Sequence, residues 1–360
     1  MLRSVVLSCV CLLAVAGCGS DAAEDAGPQD EVALGKTPPD DPGDPKAAGE
    51  ATTLAVRTIQ LGDIDLDGQP NANAWKTIGY NLDGLLSTPA GKNHCALQKG
   101  ANPNYTKQDG EDGIDNSFGE NLMPILTSVS SDVSPLVNGA LSTGDFSILM
   151  HLGNLDTPDT QTGIDAALYG GALHKDIGIC SDGSNAPCWD GTDVWPVSFE
   201  SVNGGSIDEP KVAFPKAYMV DGTWVSGSRG DIALVVTVEG YELHLDIRNA
   251  FVTMDVTGRG TDAEAVNGVI AGVLVTEELI ENLRSVAGNI NPSLCQGSTF
   301  EGIAAQIRGS SDIVSDGSNG DPGQMCNAIS VGLGFQSHGV TLGPVADPIK
   351  PGPNPCATAK

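Results

Sequence analysis

Apolar and polar positions alternate in short runs along most of the chain, separated by clusters of Gly, Asp, Asn and Pro. That rhythm predicts short strands joined by tight turns. The clearest stretch is 231–257, where IALVVTV, a turn at Gly240, YELHLDI and AFVTMDV read as three consecutive strands. In Tyr241 to Ile247 the period is two, as a sheet with one wet face requires. Residues 53–61, 146–152, 194–199, 211–220 and 269–275 read as further strands. Helices are expected over 121–129 and over 134–141, the second from a Ser134-Pro135 start. Two more are expected over 277–287, capped by Thr276 and ended by Gly288, and over 300–308. The expected fold is mainly β with a few helices, β-sandwich-like and mostly antiparallel. A boundary near 201–208 is one option, but a single domain over 52–360 is preferred.

The first segment reads as an address. Arg3 precedes an apolar run over 5–16, too short to span a bilayer comfortably, and Val15-Ala16-Gly17-Cys18 resembles the bacterial lipobox. Residues 1–17 are then a signal peptide, Cys18 is the lipidated N-terminus, and Cys9 and Cys11 leave with the signal. Gly19 and Ser20, with no Asp beside the cysteine, suit a lipoprotein of the outer membrane or cell surface. Residues 18–51 follow as a tether: acids at 21, 24, 25, 30, 31, 40, 41, 44 and 50, prolines, and almost no large apolar side chain. Such a segment cannot offset its conformational entropy by burial and is expected to be disordered, with a reach of about 30 Å as a coil.

Charge and cysteine narrow the picture. The 46 acids against 18 Lys and Arg, a formal net charge of -28, repel phosphate backbones and exclude nucleic acid as a partner. Six cysteines remain in the exported chain, an even number that reads as disulfides. Cys180 and Cys188 bracket a turn-rich loop and are expected to pair. Cys295 and Cys326 bracket a helical stretch and a second SDGSN loop, which leaves Cys95 for Cys356. No zinc spacing occurs.

The acids cluster. Asp63, Asp65 and Asp67 lie in G-D-I-D-L-D-G, followed by Asn71 and Asn73. Alternate carboxylates of a tight loop suit a hard cation such as calcium, which takes six to eight oxygens. The EF-hand pattern fails, because Ala74 stands where its bidentate Glu belongs. A second run carries Asp109, Asp112, Asp115 and Asn116 in D-G-E-D-G-I-D-N. This run resembles one thrombospondin type 3-like calcium repeat, without that family's cysteine. The expectation is structural calcium held by Asp63, Asp65, Asp67, Asp109, Asp112, Asp115 and Asn116, with one or two ions drawing on both loops; the alternative is plain Asp-Gly turns.

No catalytic constellation stands out. G-x-S-x-G and H-E-x-x-H are absent, Ser226-Gly227-Ser228-Arg229-Gly230 lacks elbow spacing, and His94, His151, His174, His244 and His338 are scattered. Trp189, Trp195 and Trp224 fall in or near glycine-rich turns and read either as stacking platforms for sugars or as core plugs.

Two longer words carry a resemblance. Trp75, Gly79, Leu82, Asp83 and Gly84 make W-x-x-x-G-x-x-L-D-G, and Asp112 to Gly119 make D-G-I-D-N-S-F-G. Together with the lipobox and acidic linker, they resemble a group of uncharacterised exported bacterial lipoproteins. The resemblance implies a location and no activity. The function expected is a membrane-anchored, calcium-stabilised surface module, non-enzymatic, binding a glycan or another envelope component. The rivals are an extracellular hydrolase with structural calcium and a purely structural envelope protein.

Overall fold

The computed structural model describes residues 35–348 except 66, 93, 100, 102–106, 130–131, 175–179, 181–186, 239–240, 291 and 296. Its strands are β1 (Glu50–Gln60), β2 (Ser147–Leu155), β3 (Gln161–Gly171), β4 (Val194–Val197), β5 (Val202–Asn203), β6 (Ser206–Pro210), β7 (Val212–Val220), β8 (Thr223–Val225), β9 (Gly230–Val238), β10 (Tyr241–Thr257), β11 (Glu264–Val275) and β12 (Ala328–Val345). The α-helices are α1 (Met123–Val129), α2 (Val133–Thr143), α3 (Thr276–Ile290) and α4 (Gly297–Gly309).

The chain is mainly antiparallel β, but it forms a closed barrel and not a sandwich. From β1 the pairing runs through β2, β3, β7, β8, β10, β11 and β12 and returns to β1, so eight strands close the sheet. Three of these, β3, β8 and β12, are absent from the pattern reading, and β3 and β12 between them make the pairings that join the two halves. YELHLDI and AFVTMDV are one strand, β10, with an irregularity around Asn249. The barrel draws on strands from both sides of 201–208, where β5 and β6 form a small separate hairpin.

Glycine hides β12. Its Ile329, Val331, Leu333 and Phe335 face the core, while Gly332 and Gly334 alternate with them on the other face. A Cβ at Gly332 would meet the Ile78 carbonyl at 2.3 Å, and one at Gly334 would meet the Gln60 side chain at 2.5 Å. Neighbouring chain lies directly on this strand, so the residues that make it a good platform remove its β signature.

In β10, Val252, Met254 and Val256 point inward and Phe251, Thr253 and Asp255 point outward. Trp224, Phe335, Met219 and Met150 join them in a side-chain-filled interior, as expected for a barrel of this size. Leu141 of α2, Leu279 and Ile280 of α3, and Phe300 and Ile307 of α4 enter the same core. These helices lie at the end where β1 and β11 finish and β12 begins. Each such side chain contributes roughly 1.5–3 kcal/mol by leaving water.

The expected tether is docked from Gly35 onward. Lys36 N donates to Asp112 O (2.9 Å) and Asn81 N to Lys36 O (2.9 Å), while Ala47 N donates to Thr162 O (2.8 Å). Tyr218 Oη reaches Pro39 O at 2.6 Å. Prolines strip donors from this extended stretch, while the amides of Ala47 and Gly49 find carbonyl partners on or beside the barrel, at Thr162 and Asn154. Cys18 and the signal lie outside the described residues.

Cys180 pairs with Cys188 as expected. Cys326, however, pairs with Cys95, not with Cys295, and the Cys95–Cys356 pairing falls with it. The cause is a short ladder: Ala96 N donates to Gln324 O (2.7 Å) and Cys326 N to Ala96 O (2.9 Å), bringing the Cys95 and Cys326 Cα atoms to 5.1 Å. Cys295 is itself disulfide-bonded, and Cys356 lies outside the described residues.

Candidate functional site

The two sequence words fold against each other and against β12. Asn116 donates from Nδ2 to Ile78 O (2.8 Å) and Gly332 O (3.1 Å), and its Oδ1 accepts from Gly119 N (3.0 Å) and Gly332 N (3.1 Å). Asp115 N donates to Tyr80 O, and Asp115 Oδ2 accepts from Leu82 N at 2.6 Å. Gly119 packs on Gly62 and Trp75, where a Cβ would stand 2.5 Å from the Trp75 Cβ. Asn116, expected as a metal ligand, is therefore a strut whose amide is consumed by backbone.

The seven expected metal residues line different spaces. Asp63 Oδ1 accepts from Ser134 Oγ (2.6 Å), and Asp65 Oδ1 accepts from the Asp67 and Gln69 amides (3.0 and 2.9 Å), an Asx-type turn. Asp65 and Asp67 face a surface groove, Asp112 is exposed, and Asp109 and Asp115 face a small interior cavity. Among the described residues no three His, Cys, Asp or Glu side chains already stand as a metal-ligand set.

The cavity measures about 10 Å³, room for one water-sized occupant. Asp109, Asp115, Glu120 and Asp312 line it, with Lys107 and the polar side chains of Ser87, Asn121 and Asn319. Burial pushes Asp115 well above the usual carboxylate range, and Asp83, Asp109 and Asp312 push it further. Burial likewise raises Asp312 to about 6, against the hydrogen bonds from Ser330, and raises Glu120 to about 7. Lys107 is lowered to about 8 by burial; its ammonium lies against the Cys95 carbonyl and the Cys95–Cys326 disulfide.

The groove is larger, about 680 Å³, and runs over the outer face of β8, β10 and β11. Asp255 lines it, cross-strand from Thr223 on β8 and Val266 on β11. Thr223 Oγ1 donates to Asp255 Oδ1 (2.7 Å) and Asn267 Nδ2 to Asp255 Oδ2 (2.9 Å). Beside it Tyr80 Oη and Thr253 Oγ1 share a hydrogen bond of 2.9 Å, and the Lys36 ammonium lies 5.2 Å from the Tyr80 ring centre. Gly268, Val269 and Ile78 add apolar floor.

Trp195 and Trp224 are core plugs and not platforms. Trp195 and Trp224 are fully buried: Trp195 lies under the outer face of β1, β2 and β3 with its Nε1 donating to Ala172 O (3.0 Å), and Trp224 sits inside the barrel. Trp189 is partly buried and packs on Trp195 at 5.4 Å. Compared with known proteins, the chain matches no family model, no curated protein and no solved structure.

Sequence reasoning misses Asp255, Thr223 and Asn267 in the groove, and Ser87, Lys107, Glu120 and Asp312 in the cavity. Asp255 carried one signal, its place on the wet face of a period-two strand. The cavity residues carried none, because they come from four separated segments.

Proposed function

We propose that this protein is a lipoprotein, held at an outer membrane or cell surface through Cys18, whose barrel binds a neutral, hydroxyl-rich ligand such as an envelope glycan without transforming it. The observation that carries the reading is Asp255, fixed from both sides by Thr223 and Asn267 within a groove of about 680 Å³. That volume lies in the range of small-ligand sites. Each Asp255 oxygen keeps a second lone pair for a ligand hydroxyl, Thr and Asn side chains supply both donors and acceptors, and the floor of Gly268, Val269 and Ile78 suits the C–H face of a sugar. Asp65, Asp67 and Asp255 against Lys36 disfavour an anionic ligand.

The test is a glycan array probed with the purified chain, followed by calorimetry on the hits. Asp255→Asn and Asn267→Ala are expected to weaken binding about tenfold or more, the second with some loss of stability because Asn267 holds φ 51°. Binding that ignores both substitutions removes the groove from the reading. Shortened sugar chains after incubation would point to the hydrolase instead.

A further inference from the structure

We propose that the interior cavity between the D-G-I-D-N-S-F-G segment and the loop after α4 is a site for a single calcium ion, with Asp109, Asp115 and Asp312 as its carboxylate ligands and the Ser87 hydroxyl as a neutral one.

Two independent observations carry it. The first is an excess of carboxylates over ammonium groups around one small space. Asp115 is buried and Asp312 partly buried, Asp109 and Glu120 line the same space, and Asp83 adjoins it, while among the described residues Lys107 is the one cationic side chain lining the cavity. Burying several carboxylates around one ammonium is costly, and a divalent cation is the compact remedy. The second is Ser87. Ser87 is 5% exposed and lines this cavity, and its Oγ has no hydrogen-bond partner. A buried hydroxyl without a partner costs about 1–3 kcal/mol, so its retention beside gathered carboxylates points to an oxygen-seeking occupant.

The geometry around the cavity is already braced. Asp109 Oδ2 accepts from Ser87 N (2.6 Å), Asp115 Oδ2 from Leu82 N (2.6 Å), and Asp312 from Ser330 N and Oγ (2.8 and 2.5 Å). These donors fix the orientation of each carboxylate, as ligand supports do in metal sites generally. All the oxygens are hard, with no sulfur or imidazole among them, which selects calcium over zinc or copper. The space admits one occupant, which disfavours magnesium with its retained water shell. Only two of the seven ligands expected from the sequence, Asp109 and Asp115, belong to this set.

None of these residues lines the groove, so the site stands or falls apart from the glycan reading. The experiment is calorimetry and thermal melting of the full chain, stripped with EDTA and titrated with CaCl2 or MgCl2. One Ca²⁺ per chain is expected, raising the melting midpoint by roughly 5 °C at saturation, with no effect of Mg²⁺ at equal concentration. Asp115→Asn keeps the shape and the acceptor for Leu82 N; it is expected to abolish Ca²⁺ binding while melting no lower than wild type in EDTA. Ser87→Ala is expected to weaken binding about tenfold and leave the EDTA melt unchanged. No heat and no shift up to millimolar Ca²⁺ overturns the proposal, leaving water as the occupant. Binding that survives Asp115→Asn but vanishes in Asp65→Ala also overturns it, since the ion would then belong to the surface loop.

Discussion

The side-chain amide of Asn116 pairs with both backbone groups of Gly332, donating to its carbonyl and accepting from its N–H at 3.1 Å each. One side chain thus stands in for a neighbouring strand at the edge of β12, just past the last pair with β1, Gln60 with Gly334. Glycine at 332 is required because a Cβ there would collide with the Ile78 carbonyl. This pair joins both sequence words to the barrel and positions Asp115 beside the cavity.

Removing that strut should be expensive. Asn116→Ala leaves the Gly332 and Ile78 groups unpaired in the interior and is expected to cost about 3–5 kcal/mol in urea unfolding. Asn116→Asp should cost a similar amount, since a carboxylate cannot donate to two carbonyls. A metal ligand would tolerate Asp, so a mild Asp variant would contradict the strut.

Gly332→Ala forces the 78–79 backbone away from β12. A loss of about 2–3 kcal/mol is expected, with the far-UV spectrum intact. Gly230→Ala makes the control for the substitution alone, because this strand glycine has nothing within 4 Å of its added Cβ.

The Cys95–Cys326 bridge closes a sequence separation of 231. Chain-entropy arguments assign such a long loop roughly 5 kcal/mol, so Cys95→Ala with Cys326→Ala should lower the urea midpoint well beyond the Cys180→Ala, Cys188→Ala pair, whose separation is 8. Peptide mapping without reduction should recover the Cys95 and Cys326 peptides joined; recovery of Cys326 joined to Cys295 would refute the pairing.

His151 is partly buried beside Thr53, its Nδ1 2.9 Å from Thr53 Oγ1, and burial holds its pKa below the ordinary value. The unfolded chain therefore takes up a proton that the native state resists. This contribution to stability is present above about pH 6.5 and is lost as pH falls through and below that value. His151→Asn should accordingly close part of its melting deficit against wild type between pH 7.5 and pH 5.5. A deficit constant across that range would show that His151 does not titrate differently on folding.

Intact-mass measurement of the native protein should find an N-terminal acylated Cys18, and Cys18→Ala should release the chain from the membrane fraction. An unmodified thiol at position 18 would remove the anchor from the proposed function.

What the sequence determined by itself was the local chemistry. Period-two runs located β1, β2, β7, β9, β10 and β11, Thr276 and the Ser134-Pro135 start marked helices, and the eight-residue spacing of Cys180 and Cys188 implied its own bridge. These signals lie within a few residues of one another, and neighbours along the chain suffice to set them. Tertiary structure alone decided the rest. The glycines that let loops lie on β12 erased its pattern, so closure into a barrel was invisible. Trp195 and Trp224 sit in turn-rich sequence yet fill two different cores. Cys326 met Cys95 because a ladder at residues 96 and 324–326 brought them together. The cavity gathers Ser87, Asp109, Asp115 and Asp312 from positions spread over more than two hundred residues, and the cost of burying their charge exists only once the fold has removed the water between them.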